Sequence, residues 1–152
     1  MDSEIRYFTL AEAQDLLPVL ESLLDRVMTA KVGIQELETK LQELSRKIMF
    51  AGGMFLDINQ TRRDRAVCEA HIQQAKDSLA EIEAIGVQVK DLDTGLLDFP
   101  CLLEGEAVLL CWKKGESHIG FWHTMEGGYQ GRQPLDARFA KKAEEPDPDR
   151  PN

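Results

Sequence analysis

The chain has only three cysteines, Cys68, Cys101 and Cys111, and no two of them form a CxxC pair. Their odd number and wide spacing exclude a disulfide framework and a zinc knuckle, so they read as small buried hydrophobes in a reducing compartment. Positive charge is also short: 18 Lys and Arg stand against 27 Asp and Glu, a net charge of -9. Proteins held by a phosphate backbone concentrate Lys and Arg, so this balance argues against nucleic acid and against an anionic membrane as partner. No apolar run approaches the roughly 20 residues of a bilayer span, and the start, MDSEIRYFTL, has no signal-peptide pattern. A cytoplasmic protein with no membrane contact is expected. Aromatics are scarce at 7%, but apolar residues reach 43% of 152. A chain of that length buries roughly 68–70% of the surface its unfolded form exposes, so one real core is expected.

Catalytic signatures are missing as well. No Ser-His-Asp or Cys-His arrangement is present, and GGYQGRQPL has neither the spacing of a dinucleotide fingerprint nor the GK[ST] ending of a P-loop. KDLDTGLLDF clusters three carboxylates but lacks the Gly and distal Glu that a calcium loop needs in register. The sequence specifies no reaction and no cofactor, and a non-enzymatic role is favoured.

What is present begins with a heptad. Ala13, Leu20, Val27, Ile34, Leu41 and Ile48 alternate at three-four spacing with Leu16, Leu23, Ala30, Leu37, Leu44 and Ala51, all apolar. This is the stripe of a long coiled-coil-like helix. Thr9 and Glu12 form a capping box at its start, Gly52-Gly53 stop it, and Pro18 predicts a kink or a short leading helix over 10–17. Cys68, Ile72, Ala75, Leu79 and Ile82 predict a second helix over about 61–85 with Gly86 as its stop, giving an antiparallel hairpin turned by FAGGMFLDINQ. At about 1.5 Å per residue the first helix reaches about 60 Å and the second about 37 Å. LLPVLESLLDRV, with Leu16, Leu20, Leu23 and Val27, therefore needs another cover. A homo-oligomer, with a dimer favoured, or a protein partner could supply it, as could the C-terminal region.

After Gly86 the period changes to that of strands. VQVKDLD, LLDFPCLLEG, EAVLLCWK and HIGFWHT predict a meander of three or four antiparallel strands, with Pro100 at an edge or a bulge. The expected fold is α+β: a helical hairpin over about 9–85, then a small sheet and a Gly-rich wrap over about 86–135, within one domain of residues 1–139. Residues 140–152, charged and Pro-rich, are expected to be a disordered tail.

An even-length loop after Lys113 would put Val108, Leu110 and Trp112 on one sheet face with Ile119, Phe121 and His123. Trp122 then falls on the opposite face, exposed unless the C-terminal segment covers it. Asp98, Glu116 and His123 are weak candidates for a mixed oxygen and imidazole metal site by residue type alone. Arg132 offers donors for a carboxylate or phosphate, with a structural ion pair as the simpler reading. His71, mid-helix among Glu, Gln and Lys, reads as solvated.

Three stretches, YFTLAEAQDLLPVLESLLDRV, GVQVKDLDTGLLDFP and EAVLLCWKKGESHIGFWHTMEGGYQGRQPL, resemble the signatures of a bacterial family catalogued as domain of unknown function 2203. The resemblance spans roughly residues 6–135. Its motif positions here are Lys90, Asp91, Gly95, Asp98, Trp112, Gly115, Glu116, Trp122, His123, Gly131, Arg132 and Pro134. It implies an intracellular prokaryotic protein and brings no activity, cofactor or catalytic residue. Two readings follow. The first is an interaction or scaffold module that self-associates or docks a partner through its long helices. The second is a small-molecule or metal site on the sheet, drawing on Lys90, Asp91, Asp98, Glu116, His123 and Arg132 with Trp112 or Trp122 as an apolar wall.

Overall fold

The computed structural model describes residues 5–50 and 57–139. The turn expected at Gly52-Gly53 and the tail expected from residue 140 lie outside the described residues. Helix α1 (Leu10–Phe50) and helix α2 (Ile58–Ile85) form the hairpin, and strands β1 (Gln88–Asp91), β2 (Leu96–Leu103), β3 (Glu106–Lys113), β4 (Phe121–Thr124) and β5 (Gln133–Pro134) follow. The protein is α+β, as its sequence predicts. Residues 5–22 with 81–139 form one compact unit and residues 23–80 the other.

Both helices start where side chains replace the missing backbone acceptors. The Glu12 amide donates to Thr9 Oγ1 at 3.1 Å while the Thr9 amide donates to Glu12 Oε1 at 2.8 Å, the reciprocal capping box. α1 runs through Pro18 as one 41-residue helix rather than two. Asp57, not Thr61, begins α2: its Oδ1 accepts the Gln60 amide at 3.0 Å. Gly86, at φ 105°, ends α2, and the Val87 amide returns to the Ile82 carbonyl.

In the helical unit, α1 packs against α2 through a seam that is only partly apolar. From Asp64 to Ser78 the buried or half-buried positions of α2 are Asp64, Cys68, His71, Ala75 and Ser78. Gly33 of α1 faces His71: a Cβ at Gly33 would stand 2.7 Å from His71 Nε2. Lys40 Nζ reaches Asp64 Oδ2 at 3.0 Å. His71 is therefore a seam residue rather than a solvated one, and Ile72 beside it is exposed. Because α2 offers small or polar side chains, Ile34, Leu37, Leu41, Leu44 and Ile48 of α1 stay half-exposed.

The stretch expected to need a cover other than the second helix is covered. Leu20, Leu23 and Val27 are buried within the single chain and Leu16 is half-buried, so they offer no free stripe for a second subunit.

The sheet has five antiparallel strands in the order β1-β2-β3-β4-β5, one more than the upper expectation. β5 is two residues of the Gly-rich wrap, with Trp122 opposite Gln133, too short to show an alternation. Pro100 sits in an interior strand, which corrects its placement at an edge. β1 pairs only with residues 96–98 of β2, and the Pro100 carbonyl points away from β3 to accept the Phe8 amide at 2.7 Å. The nitrogen of the same residue points the same way, so the imino acid removes no ladder bond to β3. The β2–β3 connection turns on Glu104 and Gly105, both at positive φ, between paired Leu103 and Glu106.

β2 and β3 are buried on both faces. On one face the rings of Phe8 and Phe99 meet edge-on at 5.7 Å. On the other, the Gly-rich segment returns along β4 and sets the Arg132 guanidinium 3.8 Å over the Phe121 ring.

Candidate functional site

Strand register decides which side chains share a face, since directly opposed residues point the same way. Asp98 opposes Cys111, and Leu109 opposes His123. Leu109 and Cys111 are two apart on β3, so Asp98, Cys111 and His123 lie on one face across three adjacent strands. Trp112 and Trp122 lie on the other: Trp122 opposes Leu110, not Leu109. The sequence-based pairing of faces is thus off by one, because seven residues, Lys114 to Gly120, connect β3 to β4. An odd connection inverts the relation that an even one gives.

The three side chains are among the most buried polar groups of the protein, at 1% (Asp98), 0% (Cys111) and 2% (His123) exposure. His123 is held at both ring nitrogens. Nδ1 lies 2.7 Å from the Thr124 carbonyl and Nε2 lies 3.0 Å from Asp98 Oδ2. A carbonyl can only accept, so Nδ1 carries a hydrogen. The contact at Nε2 then needs one further proton between nitrogen and oxygen, because two acceptors would otherwise face each other. The pair is neutral as a whole, which is the form a dry sheet face tolerates. Asp98 Oδ1 has no hydrogen-bond partner. Burial, and after it the Asp98 charge, push the Cys111 thiol up to about 12, so it is protonated across the neutral range.

Other candidates from the sequence serve different ends. Glu116 is outside this trio: Oε1 accepts the Lys113 amide at 2.8 Å and Oε2 lies 2.6 Å from Arg132 Nη2. Arg132 is therefore spent on an ion pair and on the Phe121 and Tyr129 rings, the latter 4.9 Å away. Asp91 organises the β1–β2 turn, accepting from the Asp93 amide at 3.0 Å and the Thr94 hydroxyl at 3.1 Å. Lys90 is exposed on β1, at the register shift between Val89 and Asp91. Trp112 donates to the Glu116 carbonyl at 3.0 Å. Trp122 is buried against Phe139, 5.6 Å between rings, rather than exposed. Neither Trp walls the Asp98 cluster.

A second feature was not assembled from the sequence, which offered FAGGMFLDINQ only as a turn and TRRDR only as a basic cluster. At the ends of α1 and α2, Met49, Phe50 and Ile58 are 80%, 82% and 57% exposed. Arg46, Lys47, Arg62, Arg63 and Arg65, all exposed, stand within a turn or two of them. The signal was the composition of a connection that is normally polar: residues 49–58 read MFAGGMFLDI. The remaining compact unit carries an apolar cavity of about 230 Å³ lined by Tyr7, Phe8, Leu10, Cys101, Leu102 and Phe139. No helix among the described residues is long and apolar enough to cross a membrane.

Fold and site together define an α+β protein that joins a polar-seamed helical hairpin to a five-stranded antiparallel sheet with a buried Asp-His-Cys face. The chain belongs to the uncharacterized conserved protein family DUF2203, whose model matches residues 6–135. No curated protein and no solved structure matches it.

Proposed function

We propose that the protein is a non-enzymatic interaction module of the bacterial cytoplasm that self-associates through the tip of its helical hairpin. The observation that carries this reading is the exposure of Met49, Phe50 and Ile58 within a basic collar. Exposed apolar groups that cluster and are rimmed by charge mark contact surfaces rather than ordinary surface. A second copy of this chain is the partner of matching chemistry. Residues 23–80 carry nine Lys and Arg against eight Asp and Glu, while the remainder carries nine against nineteen. The acidic unit also offers the apolar cavity, with Glu12 and Glu104 each two residues along the chain from a lining residue. Opposite potentials bring the two surfaces together, and burial of the aromatic and thioether side chains holds them.

Sedimentation velocity over a range of concentrations tests this. The native chain is expected to sediment as a dimer whose population falls with added salt, and Met49→Asp with Phe50→Asp is expected to sediment as a monomer with unchanged helix content. A native chain that is monomeric throughout, or a double variant that still associates, contradicts the reading.

A further inference from the structure

We propose that Asp98, Cys111 and His123 form a binding site for one divalent transition-metal ion of the zinc class. The three donor atoms lie within 4.8 Å of one another, and among the described residues no further Cys, His, Asp or Glu joins them. Zinc bonds oxygen and nitrogen at about 2.0–2.2 Å and sulfur at about 2.3 Å, so donors on one ion stand at most about 4.4 Å apart, and the trio closes on an ion by small side-chain shifts. The imidazole is oriented as metal-bound histidines are: Nδ1 is committed to the Thr124 carbonyl and Nε2 lies 3.0 Å from Asp98 Oδ2. Asp98 Oδ1 supplies the independent sign. It is a carboxylate oxygen on a residue 1% exposed, with no hydrogen bond in the protein beyond the interaction of Asp98 with the Cys111 thiol. Native structures seldom leave such an atom unpaired, and an ion is one of the standard ways of satisfying it.

The donor set selects the ion. A thiolate with an imidazole disfavours calcium and magnesium, which take oxygen donors, and suits zinc or cobalt(II). Charge also balances. The thiol loses one proton as the metal–sulfur bond forms, and the Asp98–His123 pair loses the one it holds. The dication, the thiolate, the carboxylate and a neutral imidazole sum to zero, and two protons pass to solvent. The buried face is neutral before and after, so binding places no net charge inside the sheet.

The test uses the full chain produced in medium supplemented with Zn²⁺ or Co²⁺, so that the ion is available while the sheet closes. Expected is one metal per chain, a sulfur-to-cobalt charge-transfer band, and an X-ray absorption fit with one sulfur among nitrogen and oxygen neighbours. Cys111→Ser should remove the band, and Cys68→Ser with Cys101→Ser should keep it. Asp98→Asn and His123→Gln should each lower Zn²⁺ affinity by more than about tenfold. Should Cys111→Ser fail to fold, the absorption fit on the native chain decides alone. Sub-stoichiometric metal in the native chain, no sulfur neighbour, or a band that survives Cys111→Ser overturns the proposal.

Discussion

Asp98 and His123 show what a single buried polar residue costs and how its neighbours offset it. Removing one member of a buried pair strands the other without compensation and costs about 3–5 kcal/mol, whereas replacing both by apolar groups of similar size is far cheaper. His123→Leu should therefore lower the urea midpoint strongly in metal-free protein, and adding Asp98→Leu should restore much of it. Additive losses from the two substitutions would show that the 3.0 Å contact contributes nothing. At this scale the sequence was legible in residue type but not in partnership. Asp98 and His123 could be singled out as a carboxylate and an imidazole in apolar surroundings. Glu116 was joined to them by residue type alone, and Cys111 could not be, because its sharing a face with His123 depends on the parity of the β3–β4 connection. Nothing in KKGESHIG fixes that parity.

The helices show the same limit at the level of elements. Their existence, their capping box and the Gly86 stop follow from spacing and local chemistry, and these were readable. The seam of α2 was readable in part: Cys68, Ala75, Leu79 and Ile82 of the apolar pattern are buried or half-buried, but Ile72 is exposed and the polar Asp64, His71 and Ser78 take seam positions. The Lys40–Asp64 contact gives that seam a pH dependence. Hydrogen bonding to Lys40, first among its causes, holds the Asp64 carboxyl below the ordinary carboxylate range. A lowered folded-state pKa contributes stability that is fully present above the unfolded value of about 3.9 and is lost as pH falls through the lower folded value. The difference in melting temperature between the native chain and Asp64→Asn should be constant near neutral pH and shrink towards zero below about pH 4. A difference that persists in acid would assign the effect to packing instead.

Across the whole molecule, charge is distributed unevenly, and this distribution supports the choice of a second copy as the partner. The net charge of -9 excludes little by itself, because it resides outside residues 23–80, where the two signs nearly cancel. The overall architecture was legible because helical and strand periods occupy separate halves of the chain. What covers Leu20, Leu23 and Val27 was not legible, because their burial depends on the folded chain and cannot be read from their heptad. Connections are normally polar, so the apolar one at residues 49–58 held the missed clue. The most direct measurement places a photoreactive amino acid at position 50 and mixes light and heavy isotope-labelled chains, so that mass spectrometry separates links between copies from links within one. The account predicts links from position 50 of one copy to Tyr7, Leu102 or Phe139 of another, weakened by salt. Links confined to a single chain, or between copies at other residues, would contradict it.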